Sequence, residues 1–252
     1  MNPGATNRFT TMVAGERSAQ SVYLGVVDYA EAFDLQEQIV RRQITGDLPD
    51  VLLTLQHPPT ITVGVSGNYA DVRVDKSFLK SKGVELVKTN RGGKATYHGP
   101  GQLVVYPLIE LKRFGPGLRD YMALLENVTI SVLNECGIQA SRVQGKPGVW
   151  VEGRKIASIG IRLRRGRTMH GIAVNLTTDL AYFDLFVPCG MPEVRMTSLK
   201  CETGTKVDLH DVRKQWIKRF ADETRAGVFN VEVEQFLAGL RECETRPLIN
   251  SR

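Results

Sequence analysis

The chain has 252 residues, of which 42% are hydrophobic and 24% are charged, and its net charge is +6. These values are ordinary for a folded globular protein and exclude the disordered and fibrous classes. No apolar run approaches the roughly 20 residues that a membrane-spanning helix needs, so we expect no membrane association. The N-terminus has no apolar signal segment, which favours a cytoplasmic protein. The pI of about 9.2 favours an acidic partner but does not identify it.

The four cysteines are Cys136, Cys189, Cys201 and Cys243. They are widely spaced, contain no CxxC pair and have no histidine at zinc-ligand spacing. We therefore expect neither a disulfide framework nor a metal site. Cys136 lies on an apolar helical stripe, which favours a structural role as a small buried side chain.

The first half of the chain alternates short strands with helices. Asp28 followed by Glu31 has the form of a capping box, which opens a helix that ends at Gly46. Asp75 predicts the cap of a second, short helix. The predicted strands are residues 22–27, 51–56, 61–65, 84–89 and 103–109. Pro107 lies within the last of them, and because proline cannot donate to a sheet ladder, it favours an edge strand or a bend.

The second half opens with the strongest helical periodicity, over residues 118–136, which Gly137 closes. Residues 148–151, 155–163 and 168–176 predict a β-meander, and two helices follow around residues 209–220 and 236–240. Because strands and helices do not alternate regularly, we expect a single α+β domain with a mainly antiparallel or mixed sheet. We assign residues 1–20 to a loosely ordered segment, 21–225 to the catalytic domain and 226–252 to a C-terminal extension.

Residues 91–102 read RGGKATYHGPGQ and concentrate glycines and polar side chains. Glycine lets a ligand or another backbone approach closely, and the polar groups between the glycines can orient it. Such a mixture is poor core material. A surface turn between two strands is the alternative, although this stretch holds more glycines than a turn requires.

Cys189 follows a proline and precedes a glycine, a setting that can place a thiol at a loop tip. A thiol of ordinary pKa is only a few per cent thiolate at neutral pH, so a nucleophilic cysteine needs a neighbouring cation. Lys155 is a candidate, because it heads the otherwise apolar face of the strand 155–163. Spacing alone, however, favours a strand-end lysine whose ammonium reaches water.

Two further groups leave alternatives open. His98 or His170 together with a cysteine would suit a thiol hydrolase or acyltransferase. The basic turn at residues 162–167 could dock an acidic protein, could be a solvated hairpin tip, or could bind nucleic acid. No aromatic residues alternate with its arginines, so we expect no nucleic acid partner.

Four separated motifs together resemble one known family. They are HPPTITVG (57–64), RGGKATYHGPGQLVVYP (91–107), GVWVEGRKIASIGIRLRRGRTMHGIAVNL (148–176) and VPCGMPEVRMTSL (187–199). In this order they are similar to the lipoyl(octanoyl) transferases of lipoate biosynthesis. The resemblance implies the fold of the biotin/lipoate protein ligase catalytic domain, in which helices flank a mixed, curved sheet around an acyl tunnel.

The resemblance also implies an activity and its residues. The family transfers an octanoyl or lipoyl group from acyl carrier protein to a lysine of lipoyl domains, through an acyl-cysteine and without a cofactor, as the first step of endogenous protein lipoylation. The acceptors are the lipoyl domains of 2-oxoacid dehydrogenase complexes and the glycine cleavage H protein. By motif match, Cys189 is the nucleophile, and Lys155 lowers its pKa and later accepts the proton of the amine. The residues expected to line the acyl site are Arg91, Gly92, Gly93, Lys94, Ala95, Thr96, Tyr97, His98, Ser158, Ile159, Gly160, Gly171, Ile172 and Ala173.

Two related enzymes share the expected scaffold. An ATP-dependent lipoate or biotin ligase would not need Cys189 as a nucleophile. An amidotransferase that acts between two lipoyl domains would keep the cysteine chemistry and change the donor. In either cysteine enzyme, backbone N–H groups freed by glycines near Cys189 or in residues 91–102 are candidates to hold the oxyanion.

Overall fold

The computed structural model describes residues 17–244 apart from residues 116, 192 and 206, and leaves out the side chains of residues 242–244. Most of the predicted N-terminal segment and the side chain of Cys243 therefore lie outside the described residues. The strands are β1 (Ser18–Val26), β2 (Asp50–Gln56), β3 (Thr60–Val63), β4 (Glu85–Lys88), β5 (Ala95–His98), β6 (Gln102–Leu108), β7 (Ser141–Val143), β8 (Lys146–Val151), β9 (Arg154–Arg164), β10 (Arg167–Asn175) and β11 (Gly227–Asn230). The α-helices are α1 (Tyr29–Thr45), α2 (Lys76–Ser81), α3 (Leu111–Phe114), α4 (Leu118–Glu135), α5 (Leu199–Thr203), α6 (Leu209–Thr224) and α7 (Val233–Glu244).

Eight strands form a large mixed sheet in the order β11-β1-β2-β6-β10-β9-β8-β7. Strand β1 pairs in parallel with both β11 and β2, and the remaining neighbours pair antiparallel. Three strands form a small sheet in the order β4-β3-β5. Helices α4 and α6 pack in one hydrophobic core with the large sheet, α1 and α7 pack in a second, and α2 packs with the small sheet. The predicted α+β domain with a mixed, helix-flanked sheet is confirmed.

The predicted helix starts differ in outcome. The carboxylate of Asp75 accepts the N–H of Phe78 and caps α2, as predicted. Asp28 stands at the N-cap of α1 but makes no side-chain capping bond, so the predicted capping box with Glu31 is wrong. Burial of the apolar stripe of α1, which includes Ala32, Ile39 and Val40, stabilises this helix instead.

Pro107 lies in the middle of the large sheet, because β6 runs between β2 and β10. The prediction of an edge strand is therefore wrong. The ladder between β6 and β10 is interrupted opposite the proline, where His170 adopts a φ of 57° and donates its N–H to Gln36 Oε1. The carbonyl of Pro107 accepts the hydroxyl of Thr168 at 2.6 Å, so a side chain of β10 continues the contact between the two strands at this point.

The glycine-rich stretch divides into a turn and a buried strand. All four residues of β5 are buried, so the expectation of poor core material is wrong for them. Antiparallel pairing with β3 satisfies the backbone groups on one side of β5, and the buried ring of His98 donates its Nδ1–H to Gln102 Oε1. Residues 91–94 form bends before β5, and residues 99–101 form the turn that joins β5 to β6.

Residues 226–244 take part in the same architecture. Strand β11 extends the large sheet beyond β1, and Phe236 and Leu240 of α7 are buried in the core that contains α1. None of the helices in the described part of the chain has the length and apolarity to span a membrane.

Candidate active site

Lys155 and Cys189 meet at one wall of an internal cavity. Cys189 occupies a short 3-10 turn, Pro188–Gly190, where its φ of 53° turns the side chain inward. Lys155 is only 2% exposed, and its Nζ lies 3.2 Å from the sulfur of Cys189. The interpretation of Lys155 as a lysine that reaches water is therefore wrong, because neighbouring chain covers both sides of its strand.

The segment that follows Cys189 binds directly to the backbone of Lys155. The N–H of Lys155 donates to Arg195 O at 2.8 Å, and its carbonyl accepts the N–H of Thr197 at 2.9 Å. This short parallel pairing, on the opposite side of β9 from β8, anchors the chain a few residues after the cysteine. The distance between the sulfur and the ammonium is thus fixed by backbone hydrogen bonds as well as by side-chain packing.

The cavity has a volume of about 220 Å³ and lies between β5 of the small sheet and β9 and β10 of the large sheet. Its surface is mostly apolar, which suits a short aliphatic chain. The predicted residues that line it are Arg91, Gly93, Lys94, Thr96, His98, Lys155, Ser158, Ile159, Gly160, Gly171, Ile172, Ala173 and Cys189.

Three of the predicted acyl-site residues do not line this cavity. Ala95 and Tyr97 point to the opposite face of β5, because side chains alternate along a strand, and Tyr97 stacks on Tyr182 with ring centroids 4.7 Å apart. Gly92 donates its N–H to Ile161 O and so lies against β9.

The cavity also has lining residues that sequence reasoning does not assign to it. They are Tyr29, Tyr106, Gly145, Pro147, His170 and Met191. From the sequence, His170 is a candidate only as a partner of the cysteine. Tyr106 could have been identified from the sequence, because it lies within the second of the four motifs, next to Pro107. Tyr29 comes from α1, and no sequence motif marks it.

The buried histidines near the cavity are neutral. Burial lowers the pKa of His170 to about 3 and that of His57 to about 4, and it lowers the pKa of His98 well below its usual value. His170 Nε2 donates to Asn90 Oδ1, and His98 Nδ1 donates to Gln102 Oε1. Among the described contacts, Cys189 is bonded to Lys155 and to neither of these histidines, so the geometry disfavours a cysteine–histidine pair.

Arg91 brings a second positive charge to the cavity wall. Its side chain is buried and donates to the carbonyl and the hydroxyl of Thr62 and to the carbonyl of Gly92. Burial lowers the pKa of this guanidinium from its ordinary value, although a group with so high a pKa stays charged. Arg91 therefore joins the glycine-rich turn to β3 and adds to the positive field around Cys189.

The structure revises two expectations about the surroundings of the site. The N–H groups of Gly92 and Gly190 donate to Ile161 O and Val187 O, so neither is available for an oxyanion. In the basic turn, Arg164 pairs with Glu37 and Arg167 pairs with Asp50. That turn is therefore partly neutralised within the protein.

An α+β domain in which a lysine and a cysteine face a mostly apolar cavity has features suited to binding small acyl groups. Comparison with known proteins gives the family. A family model described as "Lipoyl protein ligase A/B catalytic domain" matches residues 28–221, and the chain belongs to this family.

Curated relatives and solved structures agree with this assignment. The octanoyltransferase of Syntrophotalea carbinolica is 44% identical over 197 residues, which cover 78% of this chain and 90% of that protein. The octanoyltransferase of Syntrophobacter fumaroxidans is 42% identical over 198 residues, which cover 79% and 87%. The structure of a lipoate-protein ligase A bound with ATP superimposes with a TM-score of 0.73 at 19% identity, over 89% of this chain and 93% of that one, which shows a shared fold.

Proposed function

We propose that this protein is an octanoyltransferase, which moves an octanoyl or lipoyl group from the thioester of acyl carrier protein to a lysine of a lipoyl domain. The observation that carries this proposal is the 3.2 Å contact between Lys155 Nζ and Cys189 Sγ at an apolar cavity. The octanoyltransferase names of relatives that are more than 40% identical support the reaction.

In the first step, the thiolate of Cys189 attacks the thioester carbonyl of the donor. The carbon–sulfur bond to the carrier breaks, and the departing thiolate takes a proton from the ammonium of Lys155. Because one thioester replaces another, the exchange is nearly isoenergetic and needs no ATP. The acyl chain occupies the cavity, whose apolar walls exclude water from the new thioester.

In the second step, the neutral amine of the acceptor lysine attacks the acyl-Cys189 carbonyl. The new carbon–nitrogen bond forms as the bond to sulfur breaks, and the proton of the amine passes to the now neutral Lys155. This transfer restores the thiolate and the ammonium. Formation of an amide from a thioester drives the reaction forward.

The acceptors in this proposal are the lipoyl domains of 2-oxoacid dehydrogenase complexes and the glycine cleavage H protein. The net charge of +6 favours acidic partners of this kind. An amidotransferase would use the same residues with an acylated lipoyl domain as the donor, so comparison of the two donors separates these activities.

The test is transfer from octanoyl carrier protein to a lipoyl domain without ATP, followed as the mass increase of the acceptor. We expect transfer by the unmodified protein, none by Cys189→Ser, and full activity in the matched control Cys201→Ser, because Cys201 is exposed and lies in α5. Strict dependence on ATP would show instead a ligase that activates a free acid, and full transfer by Cys189→Ser without ATP would show that the acyl group does not pass through Cys189.

A further inference from the structure

The ammonium of Lys155 is buried without a carboxylate partner in the described part of the chain. Its described polar contact is the sulfur of Cys189, and the residue is 2% exposed. In the proposed reaction the ammonium must stay aimed at this sulfur, so contacts other than an ion pair must hold the side chain in place.

The aromatic ring of Trp150 faces this ammonium. Trp150 on β8 lies directly opposite Lys155 on β9, and the Nζ of Lys155 is 5.4 Å from the ring centroid. Trp150 is 2% exposed, and its Nε1–H donates to Lys146 O at 3.0 Å, which fixes the plane of the ring. A cation over a tryptophan face is stabilised, and more strongly when both are shielded from water.

Gly148 leaves the space through which the lysine side chain passes. It lies two residues before Trp150 on β8, and its backbone lies against the side chain of Lys155. A Cβ at Gly148 would lie 2.7 Å from Cε and 3.3 Å from Nζ of Lys155, and 2.3 Å from the carbonyl oxygen of Ala157. Its φ of +113° also disfavours other residues.

Glu126 holds Gly148 in this position. It projects from α4, is 8% exposed, and its Oε1 accepts the N–H of Gly148 at 2.7 Å. A buried carboxylate is costly unless it is hydrogen-bonded, and the N–H of Gly148 supplies such a bond to Glu126. Its bond to the N–H at 148 fixes the stretch of β8 that leads to Trp150.

We propose that Trp150 is a positioning residue that holds Lys155 as an ammonium against Cys189, and that Glu126 supports it through Gly148. This inference rests on the proposed function, in which Lys155 and Cys189 carry out the transfer. It adds two side chains, neither of which contacts the acyl group, to the residues on which the reaction depends.

Several other charged groups surround Lys155 and Cys189, and they add to the need for an attractive contact such as the ring of Trp150. Lys146 lies over the same ring, with its Nζ 5.8 Å from the centroid. From the other side, Arg91 contributes positive charge near Cys189, and Lys94 crosses Gly190. The carboxylate of Glu126 approaches the site, but a backbone N–H engages it. The positive groups repel the ammonium of Lys155, whereas the thiolate and the ring attract it and hold it in place.

The test measures alkylation of Cys189 by iodoacetamide against pH, quantified by mass spectrometry of the peptide that contains it. For Trp150→Leu we expect the pH midpoint to rise and the rate at pH 7 to fall roughly three- to tenfold. Trp150→Phe keeps an aromatic face of weaker attraction, so its rate is expected between those of the leucine variant and the unmodified protein.

The matched control is Trp216→Leu, which truncates the other tryptophan. Trp216 is also buried, donates to Thr129 and lies in α6 away from the cavity. We expect it to lower stability and leave the alkylation midpoint unchanged. If both Trp150 variants have the same pH midpoint of Cys189 alkylation as Trp216→Leu, while Lys155→Met shifts that midpoint, the positioning role of Trp150 is wrong and the proposed function stands. If Lys155→Met shifts nothing either, the lysine–cysteine mechanism itself is wrong.

Glu126 gives an independent test that does not truncate the ring. Glu126→Gln keeps an oxygen that can accept the N–H of Gly148, whereas Glu126→Leu does not. We expect the leucine variant to move the midpoint in the same direction as Trp150→Leu, and the glutamine variant to restore it. A midpoint in the leucine variant equal to that of the unmodified protein would overturn the role of Glu126.

Discussion

Lys155 and Cys189 stand 34 residues apart in the chain, yet their Nζ and Sγ atoms are 3.2 Å apart. Because Lys155 is only 2% exposed, its attraction to a thiolate is screened less than that of a surface pair. In the proposed reaction, the same contact places the proton that must move next to the sulfur that carries the acyl group.

The first prediction concerns removal of that charge. In Lys155→Met, a side chain of similar length lacks the ammonium, so we expect the pH midpoint of Cys189 alkylation to rise by about one to two units. Octanoyl transfer at neutral pH should fall by at least tenfold. Stopped-flow alkylation and transfer assays give the two values, with the exposed Lys200→Met as control. A transfer rate within twofold of the unmodified protein would remove Lys155 from the mechanism.

The second prediction concerns the glycine that follows the cysteine. In Gly190→Ala, the new Cβ would lie 2.3 Å from Cδ and 2.6 Å from Nζ of Lys94, and the φ of +68° is also unfavourable. Gly204→Ala is the matched control, because Gly204 has a φ of +67° and its new Cβ would meet no atom within 4 Å. Both variants carry a backbone cost of about 1 kcal/mol. We expect only Gly190→Ala to lose transfer activity, and equal activities would show that the Lys94 crossing is unimportant.

The third prediction concerns Asp50, whose side chain is fully buried. Its carboxylate accepts from Arg113 at 3.1 Å and from Arg167 at 2.7 Å, and so joins β2, α3 and β10. Asp50→Asn should lower the free energy of unfolding by about 3 kcal/mol, because two partly buried guanidinium groups lose a fully buried carboxylate that both of them contact. Urea unfolding measures this loss. Lys214→Gln, which breaks an exposed pair with Asp211, should cost less than about 0.5 kcal/mol.

The fourth prediction is a pH dependence of stability that originates in the buried histidines. Burial lowers the pKa of His57 to about 4 and that of His170 to about 3, so the folded protein favours the neutral rings. Their contribution is fully present above the ordinary histidine pKa of about 6.5 and is lost as pH falls towards 4. Each of these two histidines should contribute at most about 1.4 kcal/mol per pH unit to the pH dependence of the free energy of unfolding in that window.

Chemical denaturation at several pH values between about 7 and 4.5 tests this dependence. His170→Asn should reduce the slope, because it removes one buried ring at a position whose positive φ asparagine tolerates. The exposed His210→Asn should leave the slope as it is. A flat stability profile in the unmodified protein would contradict the neutral assignment of these rings.

Local patterns predict most of the secondary structure. The helical stripe of α4, the three strands β8 to β10 and the cap at Asp75 all follow from periodicity or turn chemistry. Pro107 shows where such reasoning fails. The rule that excludes proline from central strands assumes an unbroken ladder, and here the neighbouring strand supplies the break at His170.

The site depends on information that a single sequence does not contain. Spacing places Lys155 at the head of an apolar face, but its burial depends on β8 and on the segment around Met196, which pack on either side of it. The pairing of Trp150 with Lys155 includes a register shift in β8, which no local pattern predicts. Motif resemblance predicts the two residues to which we assign the chemistry, whereas the residues that we propose to support them follow only from the packing.

The central claim is that Cys189 carries the acyl group, and the most direct measurement is the mass of the protein after incubation with octanoyl carrier protein alone. We predict one octanoyl addition without ATP, located at Cys189 by peptide mapping and released by neutral hydroxylamine, as a thioester requires. Addition of a lipoyl domain should then discharge it to the acceptor lysine. An unmodified protein that nevertheless transfers octanoyl groups, or an adduct on Cys136 or Cys201 alone, would contradict this claim.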